Sequence, residues 1–141
     1  MDKIDLFRGE YAFLSNFQKC NIEFEGDIYP TVEHAFQAAK TFDMEERKRI
    51  LSFASPVIAK RIGRKVKLRA DWEDVKCDIM KELLKKKFEN AELAEKLLAT
   101  GDMELVEGNN HGDRFWGMVN GVGKNMLGKL LMEVRDDLRN K

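Results

Sequence analysis

Polar and apolar residues follow two different rhythms along this chain, and the change of rhythm comes near Pro30. Before it the chain reads as extended and loop-rich: Asn21-Ile22-Glu23-Phe24-Glu25 alternates, Gly26-Asp27 supplies a turn, and Ile28-Tyr29 resumes, which predicts a small hairpin. After it the apolar spacing is three to four, the period of a helix. Thr31 is placed to cap the first helix, because its hydroxyl can take a backbone N–H left unpaired in the first turn. On that helix Glu33, Gln37 and Lys40 share one narrow stripe with His34 at its edge, while Val32, Ala35, Phe36, Ala39 and Phe42 make the opposite, apolar face. Two uses of the polar stripe stay open: a wet outer face or a seat for chemistry.

Further helix signals follow in order. Asp43-Met44-Glu45-Glu46, a variant of the capping box, opens a helix to about Phe53. Ser55-Pro56 opens another that ends at Gly63. A longer one runs from Asp71 to Phe88 with Val75, Ile79, Leu83 and Leu84 inward, and Ala91 to Ala99 is closed by Gly101. Leu105-Val106-Glu107 is short enough to be a strand or a plain link. Residues 108–123 hold five glycines and three asparagines, the composition of a functional loop. A last helix is expected from about Lys124 to Arg139. The expectation is an α+β fold: one compact, mostly helical domain over residues 1–141 with a small N-terminal antiparallel β element.

Composition narrows the classes of function. At 141 residues the chain can bury a core without disulfides or a metal. Twenty-five Lys and Arg balance 25 Asp and Glu, so no global field draws it to nucleic acid or membrane, and any anion site must be local. Cys20 and Cys77 lack metal or redox spacing, which reads as free thiols in a reducing cytoplasm. No signal-peptide core or membrane-length apolar run is visible. His34 and His111 are the only histidines, without a second ligand at zinc spacing, and no G-x-S-x-G elbow supports serine catalysis.

Four stretches carry candidate chemistry. Phe7 to Phe17 is aromatic-rich without a period; its rings either plug a core or offer a stacking platform for a flat base. Asn109-Asn110-His111-Gly112-Asp113-Arg114-Phe115-Trp116-Gly117 combines an acid, two aromatics and a flexible backbone. Gly121-Val122-Gly123-Lys124-Asn125-Met126-Leu127-Gly128 is neither the dinucleotide fingerprint nor a P-loop, yet glycines feeding a helix start beside Lys124 can hold a phosphate on free N–H groups. Arg61, Arg64, Lys65, Lys67 and Arg69 form a basic cluster, either a solvated face or a seat for phosphate or nucleic acid.

Taken in order, these blocks resemble the NADAR family. The matching pieces are Phe7, Leu14-Ser15-Asn16-Phe17, Pro30-Thr31-x-Glu33-His34-x-x-Gln37-x-x-Lys40, Ala59-Lys60-x-x-Gly63-Arg64 and Leu68-Arg69-x-Asp71-Trp72-x-x-x-Lys76. They continue with Asp113-x-x-Trp116-Gly117, Gly123-x-Asn125-x-Leu127-Gly128 and Leu131-Met132-x-x-Arg135. The resemblance implies an N-glycosidase that cleaves a ribosyl C1–N bond, without a metal or redox cofactor. Its implied partners are a small phosphoribosyl substrate (a ribosylamino-pyrimidine phosphate of flavin synthesis) or an ADP-ribosyl substrate, with ADP-ribosylated guanine in nucleic acid as the larger form of the latter.

Elementary chemistry assigns expected roles within that frame. Breaking a ribosyl C1–N bond passes through a cation-like sugar, which a nearby carboxylate stabilises while also activating water. Glu33 is expected in that role, with Asp113 holding ribose hydroxyls or sharing the acid–base work. Trp116, then Trp72 or Phe17, would stack on the departing base. Asn16, Gln37, Lys40 and Asn125 would orient hydroxyls and phosphate, and Phe7, His34 and Lys124 complete the substrate-binding set. Enzymes lower barriers by ~8–23 kcal/mol, whereas one acid–base group contributes about 10²–10⁴-fold. One glutamate is therefore not enough. The competing readings are a non-catalytic module for ADP-ribose or NAD, and a nucleic-acid binder using the basic cluster.

Overall fold

The computed structural model describes residues 2–141. Its elements are β1 (Lys3–Ile4), a 3-10 helix (Gly9–Leu14), β2 (Lys19–Phe24), β3 (Asp27–Thr31), α1 (Val32–Ala39), α2 (Met44–Leu51), α3 (Pro56–Gly63), α4 (Trp72–Lys87), α5 (Ala91–Ala99), β4 (Glu104–Leu105) and α6 (Met126–Arg139). The class is α+β and mostly helical, as expected, but the one antiparallel β element expected is joined by a second small sheet. The described residues fall into two compact units, one being Asn16–Lys87 and the other the residues up to Ser15 with Phe88–Lys141. Among the described residues no helix is long and apolar enough to cross a membrane.

In the Asn16–Lys87 unit, α1 is the hub: α2, α3, α4, β2 and β3 all pack against it. The caps are where the sequence puts them. Thr31 Oγ1 accepts from His34 N–H, Asp43 accepts from Glu45 and Glu46 N–H, and Ser55 Oγ accepts from Ile58 N–H. The capping box at Asp43 is only half formed, because Glu46 turns away and accepts from the Thr41 hydroxyl and Lys67 N–H instead. The hairpin pairs Ile22 with Tyr29 and Phe24 with Asp27, so its turn is Glu25-Gly26 and not Gly26-Asp27. Both turn residues have positive φ (48° and 96°), the handedness that two-residue hairpins require.

Three expected core positions are corrected. Phe42 is 62% exposed, with the Arg69 guanidinium lying 4.3 Å from its ring centroid, because α1 ends at Ala39 and the chain leaves the helix before Phe42. On α4 the wholly or nearly buried residues are Trp72, Met80, Leu83, Leu84 and Lys87, while Val75 and Ile79 are only half covered. The contact surface of α4 is thus turned by about one position from the simple periodic stripe. Lys87 is fully buried, and that burial pushes its ammonium pKa down to about 7.

In the other unit, β1 and β4 form a two-stranded parallel pair, Lys3 with Glu104 and Ile4 with Leu105. Asn90 caps α5 by accepting from Leu93 N–H, and α5 packs on α6 and on the 3-10 helix. Phe13, Leu14, Leu97, Leu105, Leu130, Leu131 and Val134 are buried core residues. The aperiodic aromatic stretch therefore does contribute to a core, through the 3-10 helix that its sequence did not announce. Helix α6 begins at Met126, two residues later than expected.

Candidate active site

The site is built from α1 outward. Every residue from Val32 to Ala39 is buried, including Glu33 (8% exposed), His34 (0%) and Gln37 (4%). The polar stripe is therefore not a wet face. Burying polar groups is costly unless they are hydrogen-bonded, so each needs a partner. Gln37 Nε2 donates to Glu33 Oε2 at 2.6 Å, one helical turn away, and Glu33 N–H donates to the Asn16 carbonyl at 3.1 Å. Gly63 makes this possible from α3: an added Cβ there would run into the Gln37 side-chain amide. The glycine serves close approach, not a left-handed turn.

His34 is satisfied within the protein. Phe53 offers only a carbonyl, so Nε2–H donates to it at 2.7 Å, and Nδ1 then accepts from the Thr31 hydroxyl at 2.7 Å. Burial pushes its pKa below the ordinary histidine value, which agrees with this neutral tautomer. Both ring nitrogens are spent on the start of α1 and on the Phe53 backbone, so His34 braces the helix.

Lys40, just past α1, is half-buried, and that burial lowers its pKa while Glu33 opposes the shift. Asn16 is buried, with Nδ2 directed at Met80 Sδ (3.6 Å); its Oδ1, and Oε1 of Gln37, have no hydrogen-bond partner among the described residues. Trp72 is 5% exposed and packs on Phe36 with ring centroids 5.0 Å apart, a core position and not an open stacking face. Phe17 is exposed at 39%.

The remaining candidates belong to the other unit. Asp113 Oδ1 accepts from Phe115 N–H (3.1 Å) and Trp116 N–H (2.9 Å), so the acid shapes the turn that carries the tryptophan. Trp116 is half-buried and meets Phe115 edge-on at 4.9 Å. Asn109, which sequence reasoning passed over as loop polarity, ties the whole loop: its amide bonds Glu107 Oε2, the Asp113 carbonyl, His111 N–H and Asp113 N–H. Asn125 is buried and spends both amide atoms on backbone, accepting from Glu107 N–H and donating to the Leu105 carbonyl, each at 2.9 Å. Phe7 is half-buried, and Lys124 is exposed with Nζ 5.6 Å above the Phe115 ring.

The expected phosphate cradle at the start of α6 is not there. Lys124, Asn125, Met126 and Leu127 N–H donate to the carbonyls of Arg114, Gly117, Phe115 and Trp116. These are the groups a helix start would offer an anion, and the loop has taken them. An open cleft of about 430 Å³ elsewhere in this unit, lined by Lys3, Arg8, Asn110 and Asn120 among others, holds none of the expected site residues.

Known proteins place the fold. The NADAR domain model matches residues 6–139. N-glycosidase YbiA of Shigella flexneri is 45% identical over 133 residues, covering 92% of this chain and 82% of that one. A riboflavin biosynthesis protein of Vibrio vulnificus is 39% identical over 133 residues, 92% of this chain and 36% of that protein. The NMR structure of the Escherichia coli protein YbiA matches with a TM-score of 0.85 at 42% identity, over 99% of this chain and 86% of that one. The class that fold and relatives define is a hydrolase acting on N-glycosyl bonds. The chain belongs to the NADAR family.

Proposed function

We propose that this enzyme hydrolyses a ribosyl C1–N bond in a phosphorylated substrate, either a ribosylamino-pyrimidine of riboflavin synthesis or ADP-ribose attached to guanine, with Glu33 as the key carboxylate. The observation that carries the reading is a carboxylate buried on an enclosed helix and held at 2.6 Å by Gln37. A carboxylate fixed in low-dielectric surroundings stabilises a cation-like sugar more strongly than one in water. It can also take a proton from the attacking water. The acceptors Asn16 Oδ1 and Gln37 Oε1 suit ribose hydroxyls, which donate, and Lys40 suits a hydroxyl or phosphate oxygen. In the other unit, Asp113 is assigned to shaping the turn that carries Trp116, through its Oδ1 bonds to backbone N–H.

Incubation with each substrate, followed by chromatography, tests the proposal. Freed base together with ribose phosphate, or freed guanine-containing product together with ADP-ribose, is expected and identifies the substrate. Intact substrate in both arms, with tight ADP-ribose binding, would instead favour a binding module. Asp113→Asn keeps an acceptor for the turn, so retained turnover supports the turn-shaping role and lost turnover would assign Asp113 to the chemistry itself.

A further inference from the structure

Six cations and no acid occupy residues 60–69, and only part of this charge is spent inside the protein. Arg69 is committed to Asp71 through two bonds of 2.6 and 3.0 Å and to the ring of Phe42. Lys60 and Arg64 are different. They lie one turn apart on the face that brackets Gly63, and Gly63 is the point where α3 touches the Gln37 amide. The contact that holds Glu33 in place therefore brings two cations beside the end of α1, where Lys40 sits. From α4, Trp72 packs on Phe36, and Lys76, one turn along from Trp72, adds a further positive charge to the field at Lys40 and is paired with exposed Glu73 at 2.6 Å. Lys40 accordingly feels repulsion from Arg64, Lys60 and Lys76, and Glu33 is the carboxylate that opposes them.

Such convergence is unfavourable by itself, since like charges at short range repel and burial of an ammonium adds to the cost. It makes physical sense where an anion is the intended neighbour. We propose that Lys40, Lys60 and Arg64 form the anchor for a phosphate ester or diphosphate, set beside the Glu33 carboxylate. The anchor holds the charged end of the substrate and leaves the sugar carbon to Glu33; in that respect the inference rests on the glycosidase reading. It also replaces the α6 start, whose N–H groups are occupied, as the phosphate site of the chain. A guanidinium suits two phosphate oxygens at once, and the two ammonium groups act as point charges.

The test is calorimetric titration of the intact protein with inorganic phosphate and with pyrophosphate, which needs no turnover. Lys60→Ser and Arg64→Ser are each expected to weaken binding roughly tenfold to a hundredfold, the range for hydrogen bonds to charged groups. Lys48→Ser, an exposed cation on α2 paired with Glu45, is expected to bind as the wild type does. Tighter binding of pyrophosphate points to a diphosphate substrate, and equal or tighter binding of phosphate to a monoester. Unchanged affinity in Lys60→Ser and Arg64→Ser, or an equal loss in Lys48→Ser, overturns the proposal. Turnover separates the two claims: anion binding through Lys60 and Arg64 without release of base sinks the glycosidase reading alone, and base release with unchanged KM in both variants sinks the anchor alone.

Discussion

Helix α1 and the glycine-rich loop carry similar polar side chains, yet they use them in opposite ways. In the loop, Asn109, Asp113 and Asn125 turn onto nearby backbone N–H and C=O groups, and the start of α6 is closed by loop carbonyls. Polarity there makes architecture. On α1 the backbone is already satisfied by the helix, so Glu33 and Gln37 bond to each other while Gln37 Oε1 and Asn16 Oδ1 are left as buried acceptors. An unsatisfied buried polar group costs about 1–3 kcal/mol. The lesson is that one family motif can be buried with acceptors to spare while another of equal prominence is spent on a scaffold.

Substitutions can break that contrast, and the largest effect belongs to Glu33. Glu33→Gln should lower turnover by at least about 10²–10⁴-fold, the contribution of a single acid–base group. Asn125→Ala should act on stability first: it strands two buried backbone partners, at about 1–3 kcal/mol each, and urea unfolding should show the loss. A wild-type midpoint in Asn125→Ala would remove the architectural reading of the loop. Gly63→Ala overpacks the α1–α3 contact, with an expected cost of about 1–3 kcal/mol. It should also reduce kcat beyond what its stability predicts, because the displaced amide is the one that holds Glu33; normal kcat in folded Gly63→Ala would separate the two.

The smallest effect is a pH tilt from His34. Its folded pKa lies below the ordinary value of 6.5 because burial disfavours the charged ring. The unfolded chain therefore takes up the proton first as pH falls. The stability contributed by the neutral ring is present above about pH 6.5 and is lost as pH drops towards the lower folded value. Unfolding curves from pH 8 to 5 should show this slope, and His34→Gln should flatten it.

Much of the helical frame was legible because its signals are local. Thr31, Asp43 and Ser55 each cap a helix with their own side chain, and no distant residue is needed to see it. Glu33, Gln37 and Lys40 were legible as a stripe, but not as a buried one, since burial of α1 depends on five elements packing around it. The β1–β4 pair was out of reach for the same reason: Lys3–Ile4 and Glu104–Leu105 are two residues each and meet across a hundred positions of chain. Gly63 reads in sequence as a helix stop, and only the opposing Gln37 shows it to be a contact. The helix start beside Lys124 read as able to hold a phosphate because sequence does not reveal where backbone N–H groups are spent.

The central claim is that the α1 carboxylate performs chemistry and does not merely sustain the fold. Single-turnover release of base by Glu33→Gln, followed beside its thermal unfolding, measures both at once. A variant that unfolds at the wild-type temperature, still binds pyrophosphate and frees no base is the predicted result; base released at the wild-type rate would contradict it.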